Sequence, residues 1–213
     1  YPHQALADAG YRSAVFGQPT YNGVAILART EPEAVESGLP GDDSDQQARL
    51  ISATVGGIRL VNVYIPNGSE VGSDKYAYKL SWIKRLREYL DARSLSGEVL
   101  LCGDFNVAPE DIDVHDPDLW AGKVLCSQPE RDAIANVRDW GFVDAFRLRV
   151  KDGGHYSWWD YRAGAFRRNN GLRIDHVWVT EPLARRCTDV YIDKATRTWD
   201  RPSDHAPVIA EFS

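Results

Sequence analysis

The sequence contains no methionine and very little cysteine. Its 213 residues include only three cysteines, and these lack the close spacing of a zinc site. So few cysteines, in an odd number, argue against the disulfide framework of a secreted protein, and Cys102 falls in an apolar run where a buried thiol is expected. We therefore expect a reducing compartment, the cytoplasm.

Long apolar runs and a leader pattern are also missing. No apolar run approaches the roughly 20 residues that cross a bilayer, which excludes a transmembrane helix and predicts no membrane partner. The opening Tyr1-Pro2-His3-Gln4 lacks the basic, apolar and small-residue regions of a signal peptide. Because it also lacks an initiator methionine, we expect the natural protein to begin upstream of Tyr1.

An excess of basic residues, the usual mark of nucleic-acid binding, is absent. The 25 Lys and Arg are outnumbered by 31 Asp and Glu, which gives a net charge of -6. This balance does not exclude nucleic acid, because a carboxylate-lined metal site adds acid locally and the basic residues are uneven. Four arginines fall within twelve residues: Arg162, Arg167, Arg168 and Arg173. Such a cluster is either a solvated face or a surface that contacts nucleic acid.

The chain does have the composition and patterning of a folded domain. Hydrophobic residues make up 43% of it and charged residues 26%, and no linker divides it, so we expect one domain over residues 1–213. Six runs have the length and β-branched content of strands, at 23–28, 50–55, 58–64, 99–102, 174–179 and 206–212. Two stretches have apolar residues at helical spacing, 74–92 and 129–140.

The connections between these elements indicate the fold class. Gly56-Gly57 separates two predicted strands by a tight turn, which makes them antiparallel neighbours. Ser127 and Glu130 form the capping-box pattern at the start of the second helix. The sequence predicts an α+β protein in which helices cover stacked, largely antiparallel or mixed sheets.

A carboxylate and an amide end the apolar run 99–102. Asp104 and Asn106 follow it two positions apart and lead into a turn-rich loop. Such residues at a strand end often satisfy only local backbone groups. The alternative is a catalytic site, and the distant pair Asp204-His205, together with Asp175 at the start of another strand, favours it. An Asp that accepts from one imidazole nitrogen leaves the other nitrogen for an anion such as phosphate.

Aromatic residues are further candidates for the site. Tyr64 ends a strand and is either a lid on the core or a phenolic donor beside a phosphate oxygen. The pair Trp158-Trp159 runs directly into the arginine-rich segment and Asn169-Asn170. Tryptophan pairs are commonly core residues, but aromatic side chains interleaved with Arg and Asn suit a pocket for a sugar or base beside a phosphate backbone.

Six ordered motifs, spread over essentially the whole chain, resemble the exonuclease III family of abasic-site endonucleases. They are Tyr21-Asn22-Gly23-Val24-Ala25, Tyr64-Ile65-Pro66-Asn67-Gly68, Gly103-Asp104-Phe105-Asn106, Ser157-Trp158-Trp159-Asp160-Tyr161-Arg162, Asn170-Gly171-Leu172-Arg173-Ile174-Asp175 and Ser203-Asp204-His205-Ala206-Pro207. The wider endonuclease, exonuclease and phosphatase superfamily shares only the Gly-Asp-x-Asn and Ser-Asp-His elements. The resemblance implies a four-layer αββα sandwich, a monomer and hydrolysis of double-stranded DNA with Mg²⁺ or Mn²⁺.

The resemblance also implies roles for individual residues. Asp104 would deprotonate water, Asn106 would hold that water and a phosphate oxygen, and His205, oriented by Asp175, would stabilise the phosphorane, with Tyr64 as a phosphate donor. Asp204, Asp104 and His205 would serve the metal. Contacts to DNA and a pocket for an extruded abasic sugar would come from Trp158, Leu172, Arg162, Arg173, Asn170, Arg49 and Lys75. The implied activities are 3′→5′ exonuclease, incision at abasic sites and removal of 3′ phosphates.

One family feature has no counterpart. Members of the family carry, before the part that this chain matches, a strand with an Asn and a Gln-Glu-Thr-type motif whose Glu ligates the metal. We expect this segment upstream of Tyr1. Two rival interpretations stay open: a catalytically silent relative that binds nucleic acid as a regulator, and a phosphoesterase of the superfamily that acts on small or lipid phosphates.

Overall fold

A computed structural model describes residues 1–40, 45–93 and 97–213. Over these residues it has ten strands: β1 Arg12–Gly17, β2 Gly23–Ala28, β3 Glu33–Ser37, β4 Leu50–Val55, β5 Ile58–Tyr64, β6 Val99–Asp104, β7 Phe142–Asp144, β8 Asp175–Thr180, β9 Cys187–Ile192 and β10 Val208–Phe212. It also has seven α-helices: α1 His3–Asp8, α2 Asp74–Asp91, α3 Pro117–Trp120, α4 Gln128–Arg138, α5 Ala145–Arg149, α6 Ala165–Arg168 and α7 Glu181–Ala184. None of these helices is both long and apolar enough to cross a membrane.

A six-stranded mixed sheet is the centre of the fold. Its strand order is β3-β4-β5-β6-β8-β7. Neighbouring strands are antiparallel except β5 and β6, which run parallel. The parallel pair is joined by a crossover through α2, as such pairs require. This arrangement brings the last residues of β5 and β6 and the first residue of β8 to the same end of the sheet. There Tyr64 pairs with Asp104, and Asp104 pairs with Asp175.

One face of this sheet packs against α2 and α4. Alternate strand residues such as Val61, Leu101 and Trp178 point into this core, together with Trp82 and Leu86 of α2. Ser73 precedes α2 as its N-cap, and its side chain accepts from the amide of Tyr76. Ser127 precedes α4 as its N-cap, and the predicted capping box with Glu130 is present. α2 therefore starts at the predicted residue, and α4 starts one residue earlier than predicted.

The opposite face carries two smaller sheets. β1 and β2 form an antiparallel pair over β4 and β5, with Val24 and Ile26 packed against Ile51 and Ala53. β9 and β10 form a second antiparallel pair that packs, with α5 and α7, against β6 and β8. The result is the predicted α+β class, with stacked sheets and covering helices.

Several elements depart from the sequence-based expectation. The strands β1, β3, β7 and β9 were not predicted, and β6 continues two residues beyond the predicted run, to Asp104. The last strand begins at Val208 rather than at position 206. The extension of β6 matters most, because it places Asp104 within the sheet rather than in the loop that follows.

Candidate active site

The tip of β6 is shaped by a glycine. Gly103 has a φ of +130°, and a Cβ there would lie 1.9 Å from the carbonyl oxygen of Val63. Only glycine allows β5 and β6 to approach so closely at this point. The close approach places Asp104 beside Tyr64 at the end of these two strands.

Asn106 holds the carboxylate of Asp104 on both sides. Its backbone N–H donates to Asp104 Oδ1 at 2.8 Å, and its Nδ2 donates to Asp104 Oδ2 at 2.9 Å. Asn106 has a φ of +50°, a left-handed conformation that asparagine tolerates. Its second Nδ2 hydrogen goes to the carbonyl of Ile65 at 3.0 Å. Both amide hydrogens are used inside the protein, where the side chain orients Asp104. That Asn106 also holds water and a phosphate oxygen stays a prediction.

Asp175 and His205 form a tight pair. Asp175 Oδ2 lies 2.8 Å from His205 Nδ1, and the carboxylate accepts, which leaves His205 Nε2 for another group. The side chains retain 19% and 30% exposure, so the imidazole can meet a substrate. Ser157 Oγ accepts from the backbone N–H groups of Ile174 and Asp175, at 3.1 and 3.0 Å, and fixes the start of β8.

Asp104, Asp175 and His205 form one cluster, with ligand-type atoms within 4.8 Å of one another. Burial and the charge of Asp175 raise the pKa of Asp104 to about 7, against the lowering effects of His205, Asn106 and Lys79. Burial lowers the pKa of His205, but the hydrogen bond to Asp175 and the surrounding carboxylates raise it to about 9. The cluster thus pairs a carboxylate that is ready to take a proton with a charged imidazole.

The cluster suits a divalent cation. Two half-buried carboxylates that repel each other offer hard oxygen ligands, and a cation would offset that repulsion. The predicted metal set contained Asp204 rather than Asp175. The structure places Asp175 in the cluster, whereas Asp204 Oδ2 accepts from Trp158 Nε1 at 3.0 Å. In this structure Asp204 holds Trp158, and its assistance at a metal stays a prediction.

Trp158 and Leu172 lie together beside the cluster but differ in access. Trp158 is half-buried, forms backbone bridges to Leu172 and His205, and packs edge-on to Trp120 at 6.5 Å. Leu172 has 0% exposure and belongs to the core beneath Trp158. The prediction that Leu172 lines a sugar pocket is therefore wrong for this structure, because the side chain supports Trp158 from below.

Arg173 is the clearest correction among the predicted DNA contacts. Its side chain is only 2% exposed. The guanidinium donates to Asp113 and Asp144 at 2.7 Å each and to His176 Nδ1 at 3.0 Å. A guanidinium fully engaged by two carboxylates in the core cannot reach a DNA phosphate. His176 Nε2 in turn donates to the carbonyl of Val107 at 3.1 Å, so this network anchors the loop after Asn106.

His176 makes stability depend on pH. Burial, followed by the charge of Arg173, lowers the pKa of His176 to about 4 from its usual 6.5, against Asp144 and Asp113. Between these pH values the unfolded chain binds the proton and the folded chain does not, so stability falls as pH falls. We expect the free energy of unfolding to drop by about 2 kcal/mol more in the wild type than in His176→Gln between pH 7.5 and 5. Urea titrations at the two pH values measure this difference. Equal drops in the free energy of unfolding for the wild type and His176→Gln would contradict the prediction. The control is His3→Gln, at an exposed histidine.

The remaining predicted contacts lie on the surface near the site. Arg49 packs its guanidinium over the ring of Tyr64 at 4.8 Å and donates to the Tyr64 carbonyl. Arg49 and Lys75 border a cavity of about 350 Å³. Arg162 is exposed, as are Arg167 and Arg168 of the same predicted cluster, whereas Asn170 is half-buried and donates its backbone N–H to Ala165.

Two residues close to the site were not assigned a role from the sequence. Asn67 donates from Nδ2 to Asn106 Oδ1 at 3.0 Å, and its place in the Tyr64-Ile65-Pro66-Asn67-Gly68 motif was the available signal. Lys79 donates to the carbonyl of Asn106 from α2. Its position on the buried stripe of a helix gave no indication of a polar role, because a lysine there is normally expected to reach solvent.

A cavity of about 640 Å³ opens onto the cluster. It is lined at one end by Asp104, Asp175 and His205 and at the other by apolar residues of β10, including Phe212. Trp199, which is 67% exposed, also borders it. Asp104, Asp175 and His205 therefore line part of this cavity.

Several known proteins have a similar sequence and the same fold. The pattern of the Endonuclease/Exonuclease/phosphatase family matches residues 1–205. Exodeoxyribonuclease III of Haemophilus influenzae is 36% identical over the whole chain and 84% of its own length. A 3′ phosphatase from Neisseria, solved bound to a product DNA hairpin, superposes with a TM-score of 0.97 at 43% identity, over all of this chain and 83% of that one. An AP endonuclease from Archaeoglobus fulgidus gives 0.95 at 40% identity, with the same coverage.

These similarities confirm the main predictions from the sequence. The resemblance to exonuclease III, the α+β sandwich and the class of nuclease-type hydrolase are all supported by relatives that match the full chain. The predicted DNA-repair function agrees with the same relatives, and the family depends on divalent metal ions. The chain therefore belongs to the endonuclease/exonuclease/phosphatase family, alongside the exodeoxyribonucleases III.

Proposed function

We propose that this protein is a metal-dependent DNA-repair phosphodiesterase with 3′→5′ exonuclease, abasic-site endonuclease and 3′-phosphatase activity. The observation that carries the proposal is a cluster of three side chains with ligand-type atoms within 4.8 Å of one another. Asp104 and Asp175 lie at one end of the central sheet, and His205 precedes β10 of a second sheet. The three relatives supply the activities by similarity, as an exodeoxyribonuclease III, a 3′ phosphatase and an AP endonuclease.

The side chains divide the work of hydrolysis. Asp104, held by Asn106, takes a proton from water, whose oxygen then bonds to phosphorus; its pKa of about 7 suits this role near neutral pH. The bond from phosphorus to the leaving oxygen breaks, and that oxygen takes a proton from solvent. His205, fixed by Asp175, donates from Nε2 to a phosphate oxygen and stabilises the charge of the phosphorane. Tyr64, beside Asp104 in the sheet, is the proposed second donor.

Mg²⁺ or Mn²⁺ is the proposed cofactor. Asp104 and Asp175 are the carboxylates that would hold it, with His205 beside them. When bound, the ion neutralises charge on the phosphate and polarises the bond that breaks.

The surface around the cluster suits a damaged DNA strand. Half-buried Trp158 stands next to His205 and offers an apolar wall to an extruded sugar. Extrusion costs less at an abasic site, because no base must be unstacked or unpaired. Exposed Arg162 and Lys75, with half-buried Arg49, are the proposed phosphate contacts, which would position the duplex without reading its sequence. We propose that the protein acts as a monomer in the cytoplasm, with which its free cysteines are consistent.

The test is an incision assay on two matched duplexes, one with a single abasic site and one intact. We expect Mg²⁺-dependent cleavage 5′ of the abasic site, loss of cleavage with EDTA and recovery with added Mg²⁺. Slower exonucleolytic release of nucleotides should occur from the 3′ ends of the intact duplex. Faster hydrolysis of inositol phosphates than of abasic DNA would contradict the proposed substrate, and DNA binding without any cleavage would favour a silent regulator.

A further inference from the structure

A buried ammonium lies directly behind the tip of β6. Lys79 on α2 has 0% exposure. Its Nζ donates to the backbone carbonyl of Asn106 at 2.6 Å and to that of Asn67 at 3.1 Å. The third partner is the carboxylate of Glu130 on α4, which is also fully buried. An ammonium has three hydrogens, so each of them has an acceptor.

The carboxylate that holds this ammonium is itself fixed. Glu130 Oε1 accepts from the backbone N–H of Leu125 at 3.0 Å. Its Oε2 accepts from the backbone N–H and the hydroxyl of Ser127, and the Ser127 hydroxyl also lies 2.6 Å from the hydroxyl of Tyr76 on α2. The position of Nζ is therefore determined by both long helices of the fold.

The two carbonyls that Lys79 binds belong to the residues that shape the site. Asn106 donates hydrogen bonds to the Asp104 carboxylate from its backbone N–H and from its side chain. Asn67 donates from its side chain to Asn106 Oδ1 at 3.0 Å. Lys79 thus joins the loop after β5 to the loop after β6 from within the core. A shift of either carbonyl would rotate the carboxylate of Asp104.

We propose that Lys79 is a positioning residue for phosphodiester hydrolysis: together with Glu130 it fixes Asn106 and Asn67, and through them the orientation of Asp104. The inference rests on the proposed function, because Asp104 is the base in that proposal. A purely structural role makes a different prediction. Buried ion pairs are often no more stabilising than apolar pairs of similar size, so a neutral replacement of both partners would then restore the whole protein.

The experiment compares three variants, Lys79→Met, Glu130→Gln and the double variant. Lys79→Met leaves a buried carboxylate without its ammonium, so its urea midpoint should fall well below that of the wild type. The double variant removes both charges, and the amide oxygen of the introduced glutamine can still accept from the backbone of Leu125 or Ser127, so its midpoint should recover. Its kcat on abasic DNA should stay about 10- to 100-fold below the wild type, because loss of a group that orients an active-site ligand typically costs this much. KM should change less than about twofold, since no exposed group has changed.

A matched control lies on the same helix. Lys84 and Glu88 form an exposed pair at 3.7 Å, and the double variant Lys84→Met with Glu88→Gln should retain the kcat and the midpoint of the wild type. Recovery of both kcat and stability in the Lys79 and Glu130 double variant would overturn the proposal, since it would leave only a structural role.

A second measurement does not depend on activity. Amide hydrogen exchange at Asn106, whose N–H is bonded to Asp104, should be at least about 10-fold faster in the double variant, while Leu101 in β6 keeps its rate. Unchanged exchange at Asn106 would refute the positioning role even if the wild type cleaved no DNA. Absence of cleavage by the wild type alone would instead contradict the proposed function.

Discussion

Replacing Asp104 with Asn should lower kcat on abasic DNA by at least about 10³-fold, with little effect on DNA binding. The amide cannot take a proton from water. It also cannot replace the carboxylate in its hydrogen bonds, because Asp104 accepts from both the backbone and the side chain of Asn106. A carboxamide at position 104 would set one N–H donor against another, and the side chain would turn away from its present orientation. Single-turnover cleavage of an abasic duplex, with DNA affinity measured in Ca²⁺, separates the two effects.

The control for this substitution is Asp132→Asn. Asp132 is exposed on α4, where it accepts from the neighbouring Gln128 side chain. It lies outside the cluster, so the same chemical change there should leave kcat unaltered. The Asp104 variant also separates the enzyme from its catalytically silent rival. Cleavage at the wild-type rate by Asp104→Asn would show that Asp104 is not the base, and a nucleic-acid-binding regulator would keep its function in this variant.

The parts of the fold with regular patterns could be predicted from the sequence. α2 and α4 were recognisable because their apolar residues recur at helical spacing and α4 carries its capping box. β3 was not, because all five of its residues are exposed and show no alternation. β7 has only three residues and forms because β8 is available to pair with it. Edges of a sheet depend on their neighbours more than on their own sequence.

The meeting of Asp104, Asp175 and His205 was also predictable, because each follows or precedes an apolar strand. Asp104 and Asp175 lie at the same end of two neighbouring strands, and His205 joins them from the segment before β10 of another sheet, within 4.8 Å. What a local pattern cannot supply is the partner of a side chain. Arg173 stands in a basic segment, yet its carboxylate partners lie 60 and 29 residues away in the sequence. These two carboxylates allow the guanidinium of Arg173 to be buried. Because they are absent from the basic segment, that segment alone indicated a surface residue.

The same limit applies to Asn106. The resemblance to the exonuclease III family implied that this residue holds water and a phosphate oxygen. Asn106 has a left-handed backbone, its amide donates to Asp104, and Ile65 takes the remaining hydrogen. These contacts across the sheet cannot be read from the two positions in the sequence.

Replacing Asp175 with Asn should also reduce kcat strongly, by about 10²- to 10⁴-fold. Asp175 accepts from His205 Nδ1, which fixes the imidazole and leaves Nε2 for another group. An amide at position 175 can present a donor to Nδ1, which favours the wrong tautomer and leaves Nε2 without the proton that it should donate. The measurements are kcat and KM on abasic DNA for the single variants at positions 175 and 205 and for their combination. Asp189→Asn, on the exposed face of β9, is the control.

The combination of the two substitutions determines how Asp175 acts. If Asp175 works through His205, then Asp175→Asn together with His205→Gln should be no worse than the poorer single variant, because the second change removes nothing that still operates. Independent, multiplying losses would mean that Asp175 also acts elsewhere, and its place beside Asp104 identifies the metal as that second partner. The two cases differ in a further observable. A metal ligand, when removed, raises the Mg²⁺ concentration required for half-maximal activity, whereas a residue that only orients His205 lowers kcat at every Mg²⁺ concentration.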